Sequence, residues 1–275
     1  LEQPYQVILK NRELEILNID NVDSVSLATI QEKDIIRGFD LENDSLFRVT
    51  LIKSSIDEYY MIWSFHHIII DGWSVPLIQE SFMQAYRSPV EETLGGLEKL
   101  HTHKIGCFQD YVQWILQRNK EEGLLYWKEL LDGYNEGTTG ILPIGMIKAP
   151  NSCSQVEKEE IRISSVLSKK LDDLCRKLGV TMNTAIETIW GLLLQNYEGT
   201  NDVVFGKVVS GRNAEIDNIE DMVGLFINTI PVRVQTHENM TMQELLLNMQ
   251  KQSIDSMKYD HCSLVDIQNQ TIMII

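Results

Sequence analysis

Two neighbouring stretches of the chain have the apolar composition of β-strands. Residues 46–53 and 58–65 are rich in β-branched and aromatic side chains, and "SSID" between them supplies residues that favour a turn. These features predict a β-hairpin. Its second strand delivers two adjacent histidines, His66 and His67, at its end.

The apolar positions change to helical spacing after the histidines. Asp71 and Gly72 interrupt the strand, Ser74 is the predicted N-cap, and Pro76 falls in the first turn, where its missing N–H costs little. The apolar face of this predicted helix consists of Trp73, Leu77, Ile78, Phe82 and Ala85. The unit is therefore strand, loop and helix, with the histidines at the junction of strand and loop.

The rest of the first half mixes both kinds of pattern. Residues 3–11, "QPYQVILKN", are predicted as a strand, and residues 107–131 as helical. Residues 132–152 are rich in Gly, Pro, Asn and Thr, which is typical of a linker. A boundary there predicts an N-terminal lobe at residues 1–140 and a C-terminal lobe at residues 141–275.

The second half alternates strand and helix patterns. They predict a strand at residues 157–168, helices at residues 167–178 and 181–197, a strand at residues 202–212 and a strand-rich run at residues 222–236. Pro231 in that run favours an edge or a bulge. A last helix is predicted from Thr241, with Leu245, Leu246 and Met249 inward. This mixture predicts an α/β or α+β fold.

Composition and charge narrow the classes of function. The 275 residues are 43% apolar and carry a net charge of −16, so the chain is predicted to be globular. No cluster of Lys and Arg is present, which argues against nucleic acid and against an anionic membrane surface. Without a membrane-spanning run or a signal-peptide pattern, the protein is predicted to be soluble and cytoplasmic.

The four cysteines are scattered and form no C-x-x-C pair. Cys107, Cys153, Cys175 and Cys262 are predicted to be reduced, partly buried thiols. A disulfide framework is not expected in a cytoplasmic chain of this length.

The histidine pair is the best candidate for chemistry. A histidine at a strand end can take up and return a proton near neutral pH. Gly72 would let backbone approach a substrate, and Asp71 near a helix N-terminus would stay ionised and could pair with an arginine. Adjacent strand residues point to opposite faces, so a regular strand would leave one histidine structural.

Other interpretations of the same residues stay open at this level. Asp71 could be only a turn residue. A metal site is disfavoured because the histidine side chains diverge, and His101 and His103 lie in a predicted loop. A Ser/His/Asp hydrolase lacks its G-x-S-x-G turn, and no phosphate loop or dinucleotide fingerprint is present.

Four motifs in order resemble one family. "HHIIIDGWS" resembles the H-H-x-x-x-D-G motif of the condensation domains of nonribosomal peptide synthetases. "YVQWILQRNKEEGLLYWKELLDG", "VVSGRNAEIDNIEDMVGLFINTIPVRV" and "YDHCSLVDIQ" are similar to later segments of that family. The resemblance covers essentially the whole chain.

The resemblance implies a fold and a reaction. The fold would be two chloramphenicol acetyltransferase-like lobes in a V. The reaction would join a donor acyl or peptidyl thioester to the amine of an acceptor aminoacyl thioester, each on a carrier domain. The partners would be donor and acceptor peptidyl carrier domains and adjacent adenylation domains. No cofactor would be bound covalently, because the phosphopantetheine arms of the carriers act as substrates.

The resemblance also implies roles for residues. His67 would be the catalytic residue, acting as a general base or positioning the amine. His66 and Asp71 would be structural, Asp71 through an arginine, and Gly72 and Trp73 would support the site. The second-lobe signature would place three further residues along the site: Ser210, Arg212 and Asn228.

Both ends of the chain depart from the family pattern. The family's first segments should precede Leu1 and its continuation should follow Gln268, so a chain truncated at both ends is expected. The arginine partner of Asp71 could belong to a missing segment. Two alternatives remain: a stand-alone acyltransferase of the same superfamily, and, in view of the two ends, an inactive or truncated fragment that docks carriers.

Overall fold

The chain forms two compact units, each made of two stretches. The computed structural model describes residues 6–9, 11–20, 24–88, 106–134 and 160–271. The first unit contains Leu1–Phe108 and Asp217–Leu225, and the second contains Gln109–Ile216 and Phe226–Ile275. The predicted boundary at residue 140 lies outside the described residues, so the lobes at 1–140 and 141–275 stay predictions.

A three-stranded sheet is the frame of the first unit. Strand β1 (Glu15–Asp20) pairs in parallel with β2 (Phe47–Lys53), and β2 pairs antiparallel with β3 (Tyr59–Phe65). Helix α1 (Ser24–Arg37) connects β1 to β2, because parallel neighbours need a crossover connection. The predicted hairpin is confirmed.

The predicted opening strand is wrong where the structure describes it. Residues 6–9 have no regular secondary structure, and the side chains of Val7 and Ile8 are exposed. A run of β-forming residues becomes a strand only where a neighbour takes its backbone hydrogen bonds. That condition is met from Glu15 onward, where β1 lies beside β2. Residues 3–5 and 10 lie outside the described residues.

A buried arginine fastens β2 to the end of α1. Arg48 is 2% exposed, and its Nε donates to Asp34 Oδ1 at 2.6 Å. Its Nη1 donates to the Gly38 carbonyl at 2.7 Å, and its guanidinium carbon lies 4.1 Å from the centroid of the Phe39 ring. Asp34 also accepts a hydrogen bond from the Ser64 hydroxyl on β3.

Helix α2 (Ser74–Arg87) follows the histidine-bearing loop. Phe82 on this helix meets Trp63 on β3 edge to face, with ring centroids 5.6 Å apart. Trp73, predicted on the apolar face, is instead 62% exposed. It lies at the cap position, directly before the first helical residue.

Two helices replace the predicted helical stretch at residues 107–131. Helix α3 (Phe108–Leu116) and helix α4 (Lys120–Leu130) are separated at Asn119, whose side chain accepts a hydrogen bond from the Glu122 N–H at 3.3 Å. Such a cap starts a new helix. Trp127 on α4 is fully buried in the core of the second unit.

The next helical pair is confirmed, whereas the strand predicted before it is wrong. Helices α5 (Ser165–Leu178) and α6 (Met182–Glu198) are separated at Gly179, which has a left-handed φ of 69°. Residues 160–164 have no regular structure, and Ser164 caps α5 by accepting the Leu167 N–H. Residues 157–159 lie outside the described residues.

Strands β4 (Asp202–Val209) and β5 (Asn228–Gln235) form an antiparallel pair in the second unit. Pro231 faces Gly206 in this pair, and no further strand joins them within the described residues, in agreement with the predicted edge position. The short turn Ile219–Asp221 lies between these strands in sequence and belongs to the first unit.

Helix α7 (Met242–Ser256) begins at the predicted Thr241 with a reciprocal capping box to Glu244. Its Leu245, Leu246 and Met249 are buried, as predicted. Helix α8 (Leu264–Gln270) ends the described chain.

Three of the four cysteines fall within the described residues. Cys107 is exposed, Cys175 and Cys262 are buried, and all three are free thiols. Cys153 lies outside. Among the helices in the described ranges, none combines the length and the apolarity needed to cross a bilayer.

Candidate active site

The two histidines lie on a turn that begins where β3 ends. Strand β3 stops at Phe65, the His66 N–H donates to the Leu46 carbonyl at 2.9 Å, and the Ile69 N–H donates to the His66 carbonyl at 3.2 Å. Because the strand ends before the pair, strand alternation does not set the directions of these side chains. The turn sets them instead.

His66 is half-buried and held by local contacts. Its Nδ1 accepts a hydrogen bond from the Ile68 N–H at 3.1 Å, and its ring meets Phe39 edge to face at 6.2 Å. A neutral ring with an accepting Nδ1 carries its proton on Nε2, a tautomer assigned from this bond. The structural role of His66 stays a prediction.

His67 is exposed. It occupies the first position of the turn that follows β3, next to the half-buried His66. An exposed imidazole can receive a substrate amine and exchange protons with it. Of the two histidines, His67 is the more exposed, and its catalytic role stays a prediction.

Asp71 follows the turn and lies three residues before the first residue of helix α2. It is fully buried, and its Oδ1 accepts hydrogen bonds from the Ser74 N–H at 2.9 Å and from the Ser74 hydroxyl at 2.8 Å. The prediction that Ser74 is the N-cap is wrong: the cap position is Trp73, without a capping side-chain bond, and Ser74 is the first helical residue. The Asp71 carboxylate provides the acceptor that a capping side chain would supply.

The loop is tied to a segment about 150 residues later in the chain. The Asp71 N–H donates to the Gly224 carbonyl at 3.0 Å, and the Gly224 N–H donates to the Ser74 hydroxyl at 3.1 Å. The Ser74 hydroxyl also lies 3.0 Å from the Gly224 carbonyl. All three residues are buried in the first unit. Sequence reasoning missed this contact, although Ser74 and Gly224 both stand in the family motifs.

Gly72 and Trp73 lie on the solvent side of the loop. Both residues are exposed, and no described heavy atom lies within 4 Å of the position that a Gly72 Cβ would take. The described fold therefore has room for a side chain at Gly72. The predicted role of Gly72 beside a reacting centre stays a prediction.

Two of the predicted site residues of the second unit, Ser210 and Arg212, flank Gly211. Gly211 has a φ of +68°, and a Cβ there would collide with the Phe226 carbonyl. Next to it, the Arg212 guanidinium lies 4.1 Å from the centroid of the Phe226 ring, and the Arg212 N–H donates to the Ser210 hydroxyl at 3.3 Å. Arg212 is 5% exposed.

Asn228 at the start of β5 uses its amide within the protein. Its Nδ2 donates to the carbonyls of Asp260 at 2.7 Å and Cys262 at 2.6 Å, and its Oδ1 accepts the Thr229 N–H at 2.9 Å. These bonds hold the segment that follows α7 against β5. The predicted positions of Ser210, Arg212 and Asn228 along the site stay predictions.

Three consecutive residues of the second unit, Asp260, His261 and Cys262, have shifted pKa values. Burial raises the pKa of the Asp260 carboxyl, partly offset by its hydrogen bond from Asn213. Burial, then the charge of Arg118, lowers the pKa of His261. Burial raises the pKa of the Cys262 thiol to about 11, so this thiol stays protonated at neutral pH and is a poor nucleophile.

The structure thus gathers two sets of predicted residues, each within one unit. His66, His67 and Asp71 share one loop in the first unit, whereas Ser210, Arg212 and Asn228 belong to the second. The described residues contain no group of three or more His, Cys, Asp or Glu side chains that could hold a metal ion. His101 and His103 lie outside the described residues.

Comparison of the sequence with known proteins gives consistent relatives. One polypeptide of the mycosubtilin synthase from Bacillus subtilis is 39% identical over 280 residues, covering 98% of this chain and 10% of that protein. Tyrocidine synthase 2 from Brevibacillus parabrevis is 38% identical over 279 residues, covering 99% of this chain and 8% of that protein. The chain thus spans a tenth or less of the length of these relatives.

Solved structures show the same fold. The X-domain from teicoplanin biosynthesis superposes with a TM-score of 0.76 at 18% identity, covering 98% of this chain and 60% of that one. A four-domain nonribosomal peptide synthetase bound to AMP and glycine superposes with a TM-score of 0.66 at 18% identity, covering 94% of this chain and 19% of that one. The predicted mixed α and β fold of chloramphenicol acetyltransferase type is confirmed.

The family comparison covers nearly every residue of the chain. The family described as Condensation domain matches residues 1–273. Its match includes the exposed His67, the buried Asp71 and the Gly224 segment that holds their loop. The chain belongs to the condensation domain family.

Proposed function

We propose that the chain catalyses amide bond formation between two carrier-bound thioesters, with His67 as the catalytic residue. The donor is an acyl or peptidyl thioester, and the acceptor is an aminoacyl thioester with a free amine. The single observation that carries this proposal is the exposed imidazole of His67 on a turn anchored at both ends, in a chain of the condensation domain family.

The proposed reaction has a simple balance. The acceptor nitrogen attacks the carbonyl carbon of the donor thioester, a C–N bond forms, and the C–S bond breaks. The amine loses one proton, and the departing thiolate gains one. His67 can accept the proton from the amine, or it can hold the amine in line with the carbonyl. Positioning of two tethered reactants can contribute about 7 to 11 kcal/mol to lowering the barrier.

The substrates in this proposal are the phosphopantetheine arms of donor and acceptor carrier domains. The synthase relatives are far longer than this chain, and one solved relative is a four-domain nonribosomal peptide synthetase. These facts support carrier domains and adenylation domains as neighbours. The proposed chemistry needs no covalently bound cofactor in this chain.

A single-turnover assay tests the proposal. The chain is mixed with a donor-loaded and an acceptor-loaded carrier, and mass spectrometry follows the condensed product on the acceptor arm. We expect product with the wild-type chain and loss of product with His67→Ala. His237→Ala is the matched control, because His237 is also an exposed histidine and stands outside the four family motifs.

Three other outcomes of this assay would contradict the proposal, each in a different part. Product that survives in His67→Ala overturns the assignment of His67. Acyl transfer to a free amine without an acceptor carrier supports a stand-alone acyltransferase. Carrier binding without turnover, equal in the wild-type chain and in His67→Ala, supports a docking fragment.

A further inference from the structure

The loop that carries His67 is anchored at its far end by Ser74. The near end of the loop is fixed by the bond from the His66 N–H to the Leu46 carbonyl. At the far end, the Asp71 N–H and the Ser74 hydroxyl bond to the backbone of Gly224. His67 lies between these two anchors.

The Ser74 hydroxyl joins two buried groups at once. It accepts the Gly224 N–H at 3.1 Å, and its own proton is directed to Asp71 Oδ1 at 2.8 Å or to the Gly224 carbonyl at 3.0 Å. A hydroxyl has one proton and two lone pairs, so it can serve a donor and an acceptor together. Alanine at this position can do neither.

The site around Gly224 has no spare room. A Cβ on Gly224 would overlap the ring of Phe108, and both Asp71 and Ser74 are 0% exposed. A buried polar group that loses its hydrogen-bond partner lowers the stability of the folded state. The segment at Gly224 and the loop at Asp71 therefore have little freedom while the Ser74 bonds are intact.

We infer that Ser74 is a positioning residue for His67. It touches no reacting atom, and it acts by fixing the loop end that lies seven residues after His67 through Asp71 and Gly224. This inference rests on the proposed function, because it assigns to Ser74 the placement of the imidazole that receives the amine. A misplacement of about 1 Å in such a site can cost on the order of 100-fold in rate.

Ser74→Ala tests the inference, with Ser81→Ala as the matched control. Ser81 lies on the same helix, is exposed, and bonds locally to the Leu77 carbonyl. We expect the single-turnover rate of Ser74→Ala to fall on the order of 100-fold, with the carrier concentration for half-maximal rate nearly unchanged. Ser81→Ala should retain the wild-type rate. A Ser74→Ala rate equal to that of Ser81→Ala overturns the inference.

Two further measurements test the positioning role of Ser74 without requiring that the chain form an amide. In the wild-type chain the Gly224 amide should be protected from hydrogen exchange, and Ser74→Ala should increase its exchange. The NMR signal of the His67 ring should shift in Ser74→Ala and stay in place in Ser81→Ala. A chain that forms no amide but shows these changes keeps the positioning role and loses the proposed function. Rapid exchange at Gly224 in the wild-type chain, or an unmoved His67 signal in Ser74→Ala, overturns the role.

Discussion

Arg48 shows how one buried charge can organise a stretch of backbone. Its guanidinium bonds to the carboxylate and the carbonyl of Asp34 and to the carbonyl of Gly38, and it lies over the Phe39 ring. Phe39 in turn meets His66. The frame beneath the histidine turn is therefore polar at its centre, and the composition of β2 alone could not reveal it.

Arg48→Met should cost about 3 to 5 kcal/mol in the free energy of unfolding, because it leaves the Asp34 carboxylate without its buried partner. Urea denaturation followed by circular dichroism measures the loss. Arg37→Met is the matched control, since Arg37 pairs with Glu15 at the surface and should cost less than about 1 kcal/mol. Equal losses in the two variants would refute the role assigned to Arg48.

His261 provides a test in pH. Burial and then Arg118 lower the pKa of its imidazole, and the Lys258 backbone opposes them weakly. The unfolded chain, with a histidine pKa of about 6.5, therefore binds the proton first as the pH falls. The free energy of unfolding should be fully retained above that value and should decrease as the pH falls from it toward the lowered folded pKa.

His261→Phe should remove this contribution and keep an aromatic ring beside Trp114, which meets His261 edge to face at 5.7 Å. Urea midpoints of the wild-type chain and the variant, taken at about pH 7.5 and about pH 5.5, bracket the unfolded pKa. We expect the wild-type midpoint to fall more than that of the variant. The same drop in both would show that His261 does not carry the effect.

At the scale of elements, the sequence correctly predicted the helices and strands whose ends are marked by turn or capping residues. The hairpin, the pair α5 and α6, and α7 all have clear periodicity together with turn or capping residues at their ends. The two strands predicted at residues 3–11 and 157–168 lacked a pairing partner where the structure describes them, which local sequence does not show. The prediction gave the capping role at the start of α2 to Ser74, whereas the Asp71 carboxylate accepts the Ser74 N–H. Aspartate and serine can both cap a helix, so residue type alone does not distinguish them.

A buried amide contributes hydrogen bonds to the contact between α6 and β5, beside the apolar packing of Leu194 with Val232 and Val234. Gln195 on α6 is 7% exposed; its Nε2 donates to the carbonyls of Asn201 at 2.8 Å and Val234 at 2.9 Å, and its Oε1 accepts from the Thr236 hydroxyl at 3.0 Å. Sequence periodicity gives no sign of it, because a glutamine on a helix is usually a surface residue.

Gln195→Glu preserves the shape of this side chain and removes both donated bonds. The carboxylate would then face two carbonyl oxygens, so we expect the free energy of unfolding to fall by about 3 kcal/mol or more. Gln243→Glu makes the same change in charge at an exposed position of α7 and should have little effect. Thermal or urea unfolding distinguishes the two. A neutral result for Gln195→Glu would show that the α6 and β5 contact does not depend on this amide.

At the scale of the whole molecule, the order of the chain and the order of its compact units differ. Residues 217–225 return to the first unit, although both flanking stretches belong to the second. The motifs predicted the family, and the strand pattern predicted that the histidines lie where a strand meets a loop. They could not show that Gly224 bonds to Asp71 and Ser74, because no periodicity or composition connects positions about 150 residues apart.

This return has a consequence for recombining members of the condensation domain family. A junction in the linker predicted from composition at residues 132–152 would join the histidine loop of one parent to the Gly224 segment of another. The hydrogen bonds across that contact use the backbone of Gly224 and the hydroxyl of Ser74. Parents that share Asp71, Ser74 and Gly224 therefore keep the hydrogen-bonding groups of this contact when the halves are exchanged.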